Sequence, residues 1–132
     1  MLKRAGYDEV TVFERSERVG GVWHHNTYPG AACDIPSHLY EFSFAPNPHW
    51  SRRYAPQAEI QAYIEDIARG YGVLGRIRTG TDVTGARWDE ARNRWLLETS
   101  AGTHEADVLV TACGQLSVPA VPPIPGLSLI HI

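Results

Sequence analysis

The chain has 132 residues, a formal charge of −3, six histidines, four tryptophans and six tyrosines. It carries no basic stripe of the kind that binds nucleic acid, no run approaching the ~18 apolar residues of a membrane span, and no apolar stretch in its first ten residues that would make a signal peptide. A single domain of this length can bury roughly two thirds of its unfolded surface, so a real core is within reach.

In chain order, MLKRAG reads as the last turn of a helix, with Lys3 and Arg4 at the negative end of the dipole and Gly6 as the left-handed cap. Met1 is then expected to be an internal methionine of a longer chain. EVTVFE (9–14) is a β-branched strand expected to bury Val10, Val12 and Phe13. Residues 15–38 are dense in Gly, Pro and Asn and should form loop or short turns. LYEFSF (39–44) alternates large apolar and small polar residues, the pattern of a strand. The proline-punctuated APNPHWSRRYAP (45–56) should cross irregularly to a helix over 57–71. That helix puts Ile60, Ile64, Ile67 and Ala68 on one face, with Pro56 near its start and Gly70 and Gly72 as its stop.

TDVTGARWDE (81–90), RWLLETS (94–100) and a short piece near His104–Ala106 predict an antiparallel meander. ADVLVTACG (106–114) is nearly continuous apolar sequence, the pattern of a buried parallel strand. Four prolines in SVPAVPPIPG then predict a linker. Together these elements imply an α/β fold. It is an incomplete dinucleotide-binding, Rossmann-like domain with a β-meander crossover, whose first strand and Gly-rich loop are missing from the sequence.

Several residues invite chemistry. Glu14 ends the opening strand, where dinucleotide folds place an acid on the adenosine ribose; a surface glutamate is the plainer alternative. Gly20-Gly21 would let backbone approach a ligand, or is an ordinary turn. Trp23 could cover one side of a flavin or plug the core. Asp34 could orient a cationic group or a nicotinamide amide, or make an Asx-turn before Pro36. Tyr40 could bond a flavin phosphate or ribityl chain, or be a core tyrosine. Gln115 follows Gly114 at the carboxyl end of the expected strand, where open α/β sheets hold ligands.

Metal chemistry has little support, because the histidines form no HExxH pair and Cys33 and Cys113 form no CxxC. Cys113 is expected to be inert strand packing, and the cysteine usage fits a reduced, cytosolic setting. No GxSxG elbow occurs.

Glu14, GGVWHHNTYPGAACDIPSHLYEFSF, RRYAPQAEIQAYIEDIA and VTACGQLSVPAVPPIPG together resemble the N-terminal FAD domain of Baeyer–Villiger monooxygenases of the phenylacetone and cyclohexanone monooxygenase type. The likeness runs over roughly residues 1–127. It implies a parent protein that binds FAD, takes electrons from NADPH and inserts one oxygen atom of O2 into a ketone, giving an ester or lactone. It further implies Glu14 as the ribose acid; Gly21, Val22 and Trp23 in the FAD turn; Cys33 and Asp34 in a loop beside flavin and NADP; and Tyr40, Val83 and Gln115 as further FAD contacts. Asp34 would be the one orienting, catalytic residue.

Position 32 is Ala where some relatives place Arg, the FxGxxxHxxxW signature does not follow PGL, and the chain ends in SLIHI. The expected organisation is therefore a partial FAD domain over 1–118, a proline-rich linker over 119–127 toward an absent NADP domain, and a tail outside the family pattern over 128–132. The competing expectations are an N- or S-oxygenating flavin monooxygenase and an inactive truncated chain. The isolated polypeptide is expected to consume no NADPH.

Overall fold

The computed structural model describes residues 6–116, 120 and 122–125. The expected helix end at 1–5, part of the proline-rich stretch and the whole 128–132 tail lie outside the described residues; Ala120 and residues 122–125 are exposed and form no regular element.

Helix α3, Gln57–Gly70, is the spine of the first half. Its start and stop follow from sequence. Pro56 is its N-cap, and the stop is a paired closure at Gly72. The Gly72 N–H bonds Arg69 O at 3.0 Å, the Val73 N–H bonds Ala68 O at 2.8 Å, and Gly72 takes φ +66°. That left-handed cap is inexpensive only for glycine. The helix joins strand β1, Val12–Phe13, to strand β2, Ile77–Arg78, which pair in parallel as Val12 with Ile77 and Phe13 with Arg78. The result is a short β–α–β unit.

The second half is the expected meander. Strands β3 (Val83–Asp89), β4 (Arg94–Thr99) and β5 (Gly102–Ala106) pair antiparallel in that order. Trp88 sits opposite Trp95 with ring centroids 5.6 Å apart, and Leu96 and Leu97 are buried. Phe13 touches the meander through His104, at 4.8 Å between ring centroids.

Two expected strands do not form, and the opening one is shorter. LYEFSF is not extended. Ser37–Tyr40 is a four-residue helix, α2, because the N–H groups of Leu39 and Tyr40 bond Pro36 O and that of Glu41 bonds Ser37 O. The alternation in Phe42 and Phe44 instead stacks the two rings, 5.2 Å apart, across a turn. Residues 107–114 are not a strand either. Val108 and Val110 are 69% and 74% exposed, and Cys113 is exposed rather than packed. An apolar run becomes a strand only where a neighbouring ladder can take its N–H and C=O groups, and among the described residues none lies beside it. Strand 9–14 shrinks to β1 for the same reason, and Val12 is exposed.

Candidate functional site

The carboxyl end of β1 is fixed by backbone bonds. The Glu14 N–H donates to Arg78 O at 3.0 Å, and Glu14 O accepts the Thr81 N–H at 2.9 Å. The half-buried carboxylate folds back, so that Oε1 accepts the Ser16 N–H at 2.7 Å. Among the described residues, Oε2 accepts no hydrogen bond. Ser16 carries the link onward, its hydroxyl lying 2.8 Å from His25 Nε2. The strand end and the glycine turn are thereby tied together.

That turn has two unlike glycines. Gly20 takes φ +130°, and a Cβ there would lie 2.0 Å from Gln61 Oε1 unless that side chain moved. Gly21, at φ +55° and ψ −122°, is the N-cap of the four-residue helix α1, Val22–His25, and a Cβ there would meet nothing within 4 Å. From α3, Gln61 Nε2 donates to Val19 O at 2.7 Å, and Gln57 Nε2 donates to Trp23 O.

Trp23 packs against the cluster of Cys33, Ala55 and Ile60, while its Nε1–H donates to Tyr40 Oη at 2.9 Å with the rings edge to face. Cys33 is buried, with its N–H on Ala55 O at 3.0 Å and its Sγ accepting the Ile35 N–H at 3.4 Å. Tyr40 is exposed. Asp34 is exposed and accepts no hydrogen bond among the described residues, so no Asx-turn forms before Pro36. Val83 opens β3 opposite Thr99 and is exposed. Gln115 is exposed beyond the last strand. The structure thus gathers Glu14, Gly21, Val22, Trp23, Cys33 and Tyr40 into one bonded neighbourhood. Among the described residues no hydrogen bond or ring contact joins Asp34, Val83 or Gln115 to it.

The polar groups that hold this loop were not singled out by motif. Ser37 is buried, its hydroxyl 3.1 and 3.0 Å from the carbonyls of Arg52 and Arg53 while accepting the Ala55 N–H at 3.0 Å. Glu41 Oε2 accepts the Asn47 N–H and the Trp50 Nε1–H, both at 2.8 Å; those bonds, the Asn47 one foremost, hold its carboxyl below the usual range. Glu65 is likewise lowered, first by Gln61 and then by Arg18. Tyr63 accepts the Phe42 N–H and donates to Ala45 O, both at 2.8 Å, and partial burial raises its phenol. The one available signal was the i, i+4 pair Gln57 and Gln61, amides bordering an apolar helix face.

Two open hollows, of about 230 and 190 Å³, flank α3. Neither includes Glu14, Asp34 or Tyr40 in its lining. Of the gathered residues, Cys33 is buried, Glu14, Val22 and Trp23 are half-buried, and Gly21 and Tyr40 are exposed. No group of three or more candidate metal ligands occurs among the described residues, and both cysteines are free. No helix among the described residues is long and apolar enough to cross a membrane.

Residues 1–56 match the NAD(P)-binding Rossmann-like domain family. A Baeyer–Villiger monooxygenase of Streptomyces coelicolor is 50% identical over 126 residues, 96% of this chain and 24% of that protein. An FAD-binding monooxygenase of Botryotinia fuckeliana is 46% identical over 123 residues, 89% of this chain and 23% of its own length. The crystal structure of cyclohexanone monooxygenase from Rhodococcus sp. Phi1 bound to NADP+ superposes with a TM-score of 0.85 at 36% identity, covering 96% of this chain and 25% of that one. The chain spans about a quarter of the length of these relatives. By sequence and by fold the chain is similar to about a quarter of these monooxygenases, and its first 56 residues match a dinucleotide-binding, Rossmann-like family.

Proposed function

We propose that this chain supplies part of the FAD-holding face of an NADPH-dependent monooxygenase that converts a ketone to an ester or lactone. One atom of O2 enters the ketone, the other leaves as water, and NADPH supplies the two electrons. The observation that carries this reading is the span of the likeness. A match covering 96% of the chain cannot leave out Glu14, the Gly20–Tyr40 loop or Gln115.

The residues present fit a flavin dinucleotide at three places. Glu14 keeps one carboxylate oxygen free for ribose hydroxyls, Gly21 leaves its open side clear of a Cβ, and Tyr40 offers an exposed hydroxyl beside the Trp23 indole. Val22 and Cys33 contribute backbone at the turn and loop, while Val83 and Gln115 would line more distant parts of the cofactor. Bound flavin would supply the O2 chemistry. Asp34, exposed and unbonded among the described residues, is suited to orient a cation or an amide rather than to move a proton. The sequence holds no Gly-rich phosphate loop of the kind that seats a pyrophosphate on a helix N-terminus.

We also infer the division into a partial FAD domain over 1–118, a linker over 119–127 and a tail over 128–132, in a protein working in the cytoplasm. A product assay on the intact protein carrying this sequence tests the activity, using NADPH, O2 and a ketone, an amine or a sulfide in turn. Ester or lactone from the ketone supports the reading; oxygenated amine or sulfide alone overturns it.

A further inference from the structure

Helix α1 cannot hold its own shape. It is four residues long, has no side-chain cap and buries no residue, and a helix that short is far below the length at which helices persist alone. Yet it carries Val22 and Trp23 and follows the two glycines. Something outside it must fix its geometry.

The neighbouring groups identify what does so. Val19 O and Trp23 O lie four residues apart and bracket Gly20-Gly21, and the donors that reach them, Gln61 and Gln57, lie four residues apart on α3. Residues at that spacing share one helix face. α3 is 14 residues long and anchored by Ile60 in the core, so its side chains offer a fixed pair of donors. Gly20 completes the fit, because with the Gln61 amide where it stands a Cβ would lie 2.0 Å from its Oε1, and φ +130° itself disfavours a side chain. The two glycines therefore play different parts. Gly20 admits the helix from behind, and Gly21 leaves the front open.

We propose that Gln57 and Gln61 are positioning residues that set the shape of the cofactor-facing Gly20–Trp23 turn. The role assigned to the turn rests on the function proposed above; the grip itself does not.

The test replaces both donors by methionine, Gln57→Met with Gln61→Met, which keeps length and helix propensity while removing the amides. Hydrogen exchange is read at His24, His25 and Asn26, whose N–H groups bond Gly21 O and Val22 O, and at the α3 interior around Ile64. FAD affinity is titrated in parallel, by flavin fluorescence, in the intact protein carrying this sequence and the same substitutions. The expected result is roughly tenfold faster exchange per lost bond in the turn, unchanged exchange in α3, and FAD affinity weakened by a similar factor. Unchanged turn amides, or α3 amides that accelerate equally, overturn the proposal. Turn amides that respond in an intact protein, carrying this sequence, that binds no FAD even before substitution sink the cofactor reading and leave the grip standing.

Discussion

The loop wrapped on α3 and the β3–β5 meander are built by opposite means. In the meander, backbone groups satisfy one another along two antiparallel ladders, and side chains add cross-strand pairs such as Trp88–Trp95. In residues 15–56 the backbone bonds are short turns and isolated pairs such as Cys33 N–H to Ala55 O, and side chains tie the turns together: Gln57 and Gln61 hold Trp23 O and Val19 O, Tyr63 and Tyr71 hold Ala45 O and Phe44 O, and Ser37 bridges residues 52–55. A ladder is robust to single changes because each bond has neighbours in register. A loop held by single polar anchors can be shaped to a ligand, but it fails one anchor at a time.

The strongest challenge to this contrast is at Ile60, 2% exposed at the centre of the small cluster with Cys33 and Ala55. Ile60→Ala should cost about 2–5 kcal/mol by transfer and cavity terms. Hydrogen exchange should show the loop and α3 opening while the amides of β3–β5 keep their protection. If the meander loses protection together with the loop, the two regions are one cooperative unit and the contrast is wrong.

Ser37→Ala comes next. It strands the buried Ala55 N–H and the Arg52 carbonyl, while Arg53 O keeps the Ser37 backbone N–H, for a loss of about 1–3 kcal/mol. Urea unfolding followed by tryptophan fluorescence should resolve the change. A loss under about 0.5 kcal/mol would mean water replaces the hydroxyl and the anchor is dispensable.

The smallest effect is on acid sensitivity. Glu41 has its carboxyl lowered by bonds from Asn47 and Trp50 in the loop, and Asp89 by bonds from Arg92 in the meander turn. A carboxyl lowered in the folded state contributes stability above its ordinary pKa, and that stability is lost as pH falls through the folded value. Glu41→Gln keeps an acceptor for both donors but cannot titrate. Its unfolding midpoint should therefore decline less steeply than that of the unsubstituted chain below about pH 4–5. An identical decline would show that Glu41 contributes nothing to the acid response.

The same contrast explains how much of the molecule was legible in sequence. Periodicity reports on elements that carry a buried face, so α3 and the meander strands were readable from Ile60–Ile64 and from RWLLETS. It misreads apolar residues whose partners are not beside them. Val108 and Val110 look like a buried strand but among the described residues have no ladder to join, and Phe42 and Phe44 alternate yet stack across a turn. β2 went unnoticed because a two-residue strand has no period. Of the site, the glycine turn and Glu14 were visible through motif. Ser16, His25 and Ser37 were not, because a single side chain bonding one group remote in sequence leaves no local pattern, and of the glutamines only the i, i+4 spacing showed.

The central claim is that the face made by Glu14, the Gly20–Trp23 turn and Tyr40 is where FAD lies. Hydrogen exchange of the intact protein carrying this sequence, with and without saturating FAD, tests it most directly. Saturable protection confined to the Glu14–Asn26 and Asp34–Glu41 segments, with the Ala86–Ala106 amides unchanged, is the predicted result. No saturable binding, or protection that falls on the meander instead, would contradict it.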